Sequence, residues 1–94
     1  MKYGVYSIRD QLVGYMNPTV AANDDAAIRY FTMLVNDPSG TMVSSQPQYF
    51  DFYKIGEFDL EKGTLTPFKE LELLVTGLSV KKGDYDGRRE EVQN

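Results

Sequence analysis

Four acidic pairs carry the only side chains in this sequence with hydrolytic chemistry in reach: Asp24 and Asp25, Glu57 and Asp59, Glu70 and Glu72, Glu90 and Glu91. Two carboxylates are what glycoside hydrolysis or metal-assisted hydrolysis needs, one to give a proton or hold a cation and one to attack or activate water. None of these pairs comes with a pocket signature or a further acid at a telling spacing. Each has a structural use instead, as a helix cap, as turn residues, as the solvated face of a strand, or as part of a charged terminal segment. The chain has no Cys and no His, which removes thiol nucleophiles, zinc fingers, disulfides and a histidine general base. Its glycines stand singly, so no phosphate-cradling loop, calcium loop or nucleophile elbow is present. These features argue against an enzyme, and neither a cofactor nor a metal is expected.

The compositional excess is aromatic, with seven Tyr, five Phe and no Trp in 94 residues. Tyr49, Phe50, Phe52 and Tyr53 crowd into one segment, and a strand cannot bury all of them on one side. Alternation places Phe50, Phe52 and Phe58 on one face and Tyr49, Asp51, Tyr53, Ile55 and Glu57 on the other. If a helix covers the Phe face, something must cover or use the second face. One reading has Tyr49, Tyr53 and Ile55 meeting a second subunit or the C-terminal segment. The other has Tyr49 and Tyr53, with Lys54, Arg9 and Arg29, forming a stacking surface for single-stranded bases. Asp51, between aromatics, is either an ordinary exposed strand residue or the partner that orients Arg9 or Arg29 across the sheet.

The elements that must position these residues are legible in outline. Tyr3 to Ile8 and Leu12 to Met16 read as two strands of a hairpin, ended by Asn17-Pro18-Thr19 because proline cannot donate to a ladder. Asn23-Asp24-Asp25 offers capping acceptors and negative charge at a helix start. Ala27, Ile28, Phe31, Leu34 and Val35 then make one apolar stripe, stopped by Asn36-Asp37-Pro38. Residues 39–48 read as a surface loop. Tyr49 to Phe58 gives the strongest strand signal, with a turn at Glu61-Lys62-Gly63 and a returning strand Thr64 to Thr66 that ends at Pro67. Leu71 to Val80 fits a fifth strand or a short helix; the β-branched Val75, Thr76 and Val80 and the Gly77 favour strand. The expectation is therefore an α+β domain over 1–80, an antiparallel sheet of four to five strands from two hairpins with one amphipathic helix packed on it, in the order β-β-α-β-β-β. Residues 81–94 read as a charged, disordered tail.

The net charge of −4 opposes a non-specific nucleic-acid clamp, because phosphate binding draws on Lys and Arg displacing counterions. Any nucleic-acid role requires a local basic patch. No run is long enough to span a membrane and no apolar signal-peptide core follows Met1, so a cytoplasmic location with no membrane contact is expected.

Taken in order along the chain, Lys2-Tyr3-Gly4-Val5-Tyr6-Ser7-Ile8-Arg9-Asp10, Gly14-Tyr15-Met16-Asn17-Pro18-Thr19, the Asn23-Asp24 to Phe31 helix start, Val35-Asn36-Asp37-Pro38, Gln46-Pro47-Gln48-Tyr49 and Tyr53-Lys54-Ile55-Gly56-Glu57-Phe58-Asp59 to Gly63-Thr64-Leu65 resemble one family. It is the small non-structural protein of gokushoviruses, Microviridae with single-stranded circular DNA that infect bacteria. The resemblance covers most of residues 2 to 67 and fades from Leu71 onward. It implies a protein made in the host bacterial cytoplasm and absent from the mature virion, assigned to DNA binding or to the switch from genome replication to packaging. With the aromatic face, it leads to the expectation of a homodimer that contacts single-stranded DNA weakly. The alternative is an adaptor or inhibitor of a host or phage replication protein, for which the acidic body offers a complement to a basic surface.

Overall fold

The computed structural model describes residues 1–82. The expected tail lies, from residue 83 onward, outside the described residues. The chain is α+β, with a curled antiparallel sheet and one long helix, as the pattern of the sequence predicts. Five strands form it: β1 (Lys2–Asp10), β2 (Gly14–Tyr15), β3 (Thr19–Ala21), β4 (Phe50–Asp59) and β5 (Thr64–Thr76). The order across the sheet is β2-β1-β4-β5, with β3 also paired to β1. Helix α1 (Asp24–Val35) is joined by two short helices, α2 (Met42–Ser45) and α3 (Gly77–Val80), and a 3-10 turn at Pro47–Tyr49.

Helix α1 begins where the acids and amide of Asn23-Asp24-Asp25 place it. The Asn23 side chain accepts from the Ala26 N–H at 2.8 Å, satisfying one of the open amides of the first turn. Ala27, Phe31 and Val35 are buried against the sheet, four residues apart on one stripe. The Phe31 ring stacks on Phe52 with centroids 4.9 Å apart, and Phe52 in turn stacks on Tyr6 at 5.6 Å. All three rings are fully buried, and this column is the centre of the core.

Four expectations about elements are corrected. Pro18 does not turn the chain away: it interrupts the ladder for one step, so the strand expected from Leu12 to Met16 becomes the two-residue β2, and β3 resumes the pairing on β1 at Tyr6↔Thr19. Residues 39–48 are not a surface loop, because α2 and the 3-10 turn fold Val43, Ser44 and Pro47 into the interior. Pro67 does not end a strand, since it sits in β5 at the sheet's edge, where no neighbouring strand asks for its N–H. The returning strand and the segment from Leu71 are thus one element, which stops at Thr76. Gly77 to Val80 is helical, started by a Thr76–Ser79 capping box. Gly77 allows a close approach there, because a Cβ would collide with the Pro47 carbonyl oxygen.

One irregularity decides which side chains share a face. Across β1 and β4 the register runs Val5↔Gly56 and then Tyr6↔Lys54, so Ile55 is an extra residue on β4. The alternation inverts at this bulge. Gly4, whose Cβ would meet the Tyr6 side chain, is on the helix side, and its partner Glu57 lines the same hollow as Lys54 and Tyr6. Phe58 therefore belongs to the face opposite Phe50 and Phe52, and Glu57 leaves the face expected to hold Tyr53.

Candidate functional site

The helix side of the sheet holds a polar cluster at the start of α1. The buried Tyr6 hydroxyl donates to Asp24 Oδ1 at 2.7 Å, and Lys54 Nζ lies 3.1 Å from the same oxygen. The Lys54 ammonium stands 6.0 Å from the Tyr6 ring centre and 5.9 Å from that of Phe68. Phe68 reaches it because residues 68–71 bulge out of β5 opposite Ile55, between the pairs Lys54↔Glu72 and Gly56↔Pro67. The Tyr6 hydrogen bond and then the Lys54 charge hold the Asp24 carboxyl below the ordinary carboxylate range. Burial, and next the adjacent Asp24, push the Tyr6 hydroxyl well above the ordinary tyrosine value. The arrangement ties the helix N-terminus to the sheet. Among the described residues, no group of three or more acids is placed to hold a metal ion.

The other side of the sheet carries no helix. Arg9 and Tyr15 are register partners, and the Arg9 guanidinium lies 5.9 Å from the Tyr15 ring centre. Tyr15 meets Tyr53 edge to face at 5.5 Å, and Tyr53 pairs with Ser7 on one flank and Leu73 on the other. Asp51 stands directly opposite Arg9 in the ladder, yet its carboxylate accepts from Gln11 Nε2 at 2.9 Å. Among the described residues Arg9 forms no ion pair. The carboxylate that would neutralise it is occupied, and the cation is left against an aromatic face. Farther along the same side, Val5, Pro18, Ile55, Leu65 and Pro67 line an apolar hollow of about 280 Å³. On this side Leu65 is 66% exposed and Leu73 is 49% exposed.

The five candidate contact residues are therefore not one patch. Arg9 and Tyr53 share the open face. Lys54 is on the helix side, paired with Asp24, because even and odd positions of β4 diverge before the bulge. Tyr49 precedes β4, in the 3-10 turn, and packs against the core. Arg29 is exposed on α1, across the sheet from Tyr53. Of the residues proposed for self-association, Tyr53 and Ile55 share the open face and Tyr49 does not. Tyr15 and Phe68 were not among the residues expected from sequence: Tyr15 carried a signal in its alternation with Arg9 across a short turn, whereas Phe68 depends on a bulge marked only by Pro67 and the facing Gly56. Of the acidic pairs, Asp24 is held by Tyr6 and Lys54, Asp59 Oδ1 accepts from the Glu61 and Lys62 amides at 2.9 and 3.1 Å, and Glu57 lies 4.0 Å from Lys2. Glu90 and Glu91 lie outside the described residues.

A helix-covered antiparallel sheet with an open aromatic and apolar face defines a small α+β domain. The family model described as Phage ORF5 protein matches residues 3–80, and the chain belongs to that phage protein family. No curated protein and no solved structure matches it. No helix among the described residues is long and apolar enough to cross a membrane.

Proposed function

We propose that this phage protein is a non-enzymatic, non-structural protein of a single-stranded DNA phage of the gokushovirus kind. In this reading it assists genome replication or packaging in the host bacterial cytoplasm and is absent from the mature virion. It binds single-stranded DNA weakly, as a homodimer, through the sheet face opposite helix α1. The observation that carries the reading is Arg9, a cation that forms no ion pair among the described residues and lies beside the Tyr15 ring, itself edge to face with Tyr53. Stacking on aromatic rings with a nearby guanidinium is the sequence-tolerant way to hold unpaired bases. The apolar stretch around Ile55 and Leu65 on the same face supports self-association. Titration of a labelled oligo-dT at low salt tests the reading: polarisation rises with protein between about 1 and 100 µM, the range of non-specific strand binding, and a flat trace contradicts it.

A second reading, an adaptor or inhibitor of a host or phage replication protein, is favoured by the same exposed apolar side chains together with the net charge of −4. An acidic body complements a basic DNA-binding surface and competes with DNA for it. Pull-down from infected cells separates the two, since a replication protein retained after nuclease treatment supports the adaptor.

A further inference from the structure

We infer that the hollow between helix α1 and the β2–β3 strip seats one unpaired nucleobase, an inference that rests on the strand-binding reading above and extends it. The hollow has a volume of about 330 Å³, at the low end of the roughly 300 to 1,000 Å³ of small-molecule sites. That suits a single ring system better than a whole nucleotide or a partner helix. Its floor is core: Phe52, Ile8 and Val43 are 0%, 7% and 8% exposed. Asn17, Thr19 and Tyr30 place polar groups at its rim beside the apolar Met16.

The lining contains no Asp, Glu, Lys or Arg. A charged ligand or a phosphate would lose its water and find no charged partner there, so a neutral occupant is favoured. Asn17 and Thr19 are exposed and Tyr30 is 46% exposed. Among the described residues the Asn17 amide and the Thr19 and Tyr30 hydroxyls make no intramolecular hydrogen bond, so each can exchange water for a ligand. A purely aliphatic occupant would leave all three unused. A flat heterocycle uses them, with the Asn17 amide presenting a donor and an acceptor side by side, the arrangement that pairs with adenine in two hydrogen bonds. The Tyr30 ring supplies an aromatic surface at the rim. Asn17 follows Tyr15 by two residues along the strip. Strand β2 is the sheet's edge, so a DNA strand stacked on Tyr15 and Tyr53 would cross that edge to place its next base in the hollow.

The test uses the full, 15N-labelled chain, titrated first with each free deoxynucleoside and then with hexamers of dA and dT. Saturable amide shifts at Asn17, Thr19, Tyr30 and Val43 are expected, with deoxyadenosine preferred, and the dA hexamer should give the same shifts at lower concentration. Asn17→Ala, at an exposed position, should weaken nucleoside binding about tenfold with the rest of the spectrum retained, while Lys62→Ala leaves it unchanged. Shifts at the hollow with free nucleoside but none with either hexamer keep the base site, assign it to a free nucleoside, and sink the strand-binding reading. Shifts confined to Arg9, Tyr15 and Tyr53 overturn the base site and keep that reading. No shift at the hollow at millimolar nucleoside overturns the inference outright.

Discussion

The Lys54 ammonium lies 3.1 Å from the Asp24 carboxylate, on the side of the sheet away from the Tyr53 ring that precedes it in the chain. Two adjacent residues that look like one binding motif in sequence are thereby divided between two tasks. Lys54 fastens helix α1 to the sheet, and Tyr53 faces outward with Arg9 and Tyr15.

Because Asp24 accepts from both Tyr6 and Lys54, its carboxyl is depressed in the folded state. The stability it adds is fully present above the ordinary carboxyl value of 3.8 and is lost as pH falls below that, through the lowered folded value. Tyr6→Phe keeps the ring stack and removes the hydroxyl. It should cost about 1–3 kcal/mol at neutral pH and flatten the acid limb of a stability-against-pH curve from urea melts. An unchanged acid limb would show that Asp24 does not anchor the helix.

The Tyr6–Phe52–Phe31 column predicts a large effect of truncation. Phe52→Ala should destabilise by about 3–5 kcal/mol, close to the whole stability of a small domain. Loss of the cooperative thermal transition checks it, and a drop of only a few degrees would place the core elsewhere.

Much of this core was legible in the sequence. The Asn23 cap, the Ala27-Phe31-Val35 stripe and the β4 strand all announce themselves through local chemistry and period. What was hidden is non-local or too short to show a period. The four-residue α2 buries Val43 without any repeat, and Pro67 looks like a stop until β5 is known to be an edge. The bulge at Ile55 is marked only by the lone Gly56 within the strand, yet it moves Phe58 to the far face. The aromatic excess pointed to a second face beyond the one the helix covers, and that side of the sheet carries Tyr15 and Tyr53, whereas Lys54, Tyr49 and Arg29 each lie on a different element or side.

Self-association should run through the apolar half of the open face. Leu65→Asp and Ile55→Asp place a charge beside the hollow at Val5 and Pro67 and should turn a dimer into a monomer in sedimentation velocity. Far-UV circular dichroism should be unchanged for Leu65→Asp, whose site is 66% exposed. A dimer that survives both variants is held by another surface.

The central claim is that the Tyr53 face, and not the Lys54 face, meets single-stranded DNA. Fluorescence polarisation of labelled oligo-dT at low salt, compared for the unsubstituted chain, Tyr53→Ala and Lys54→Ala, tests it most directly. A stacking contact is worth about 1–3 kcal/mol per base, so Tyr53→Ala should weaken binding at least fivefold, whereas Lys54→Ala, though less stable, should bind as before while folded. Loss of affinity in folded Lys54→Ala with Tyr53→Ala unaffected, or no binding by any of the three, would contradict the account.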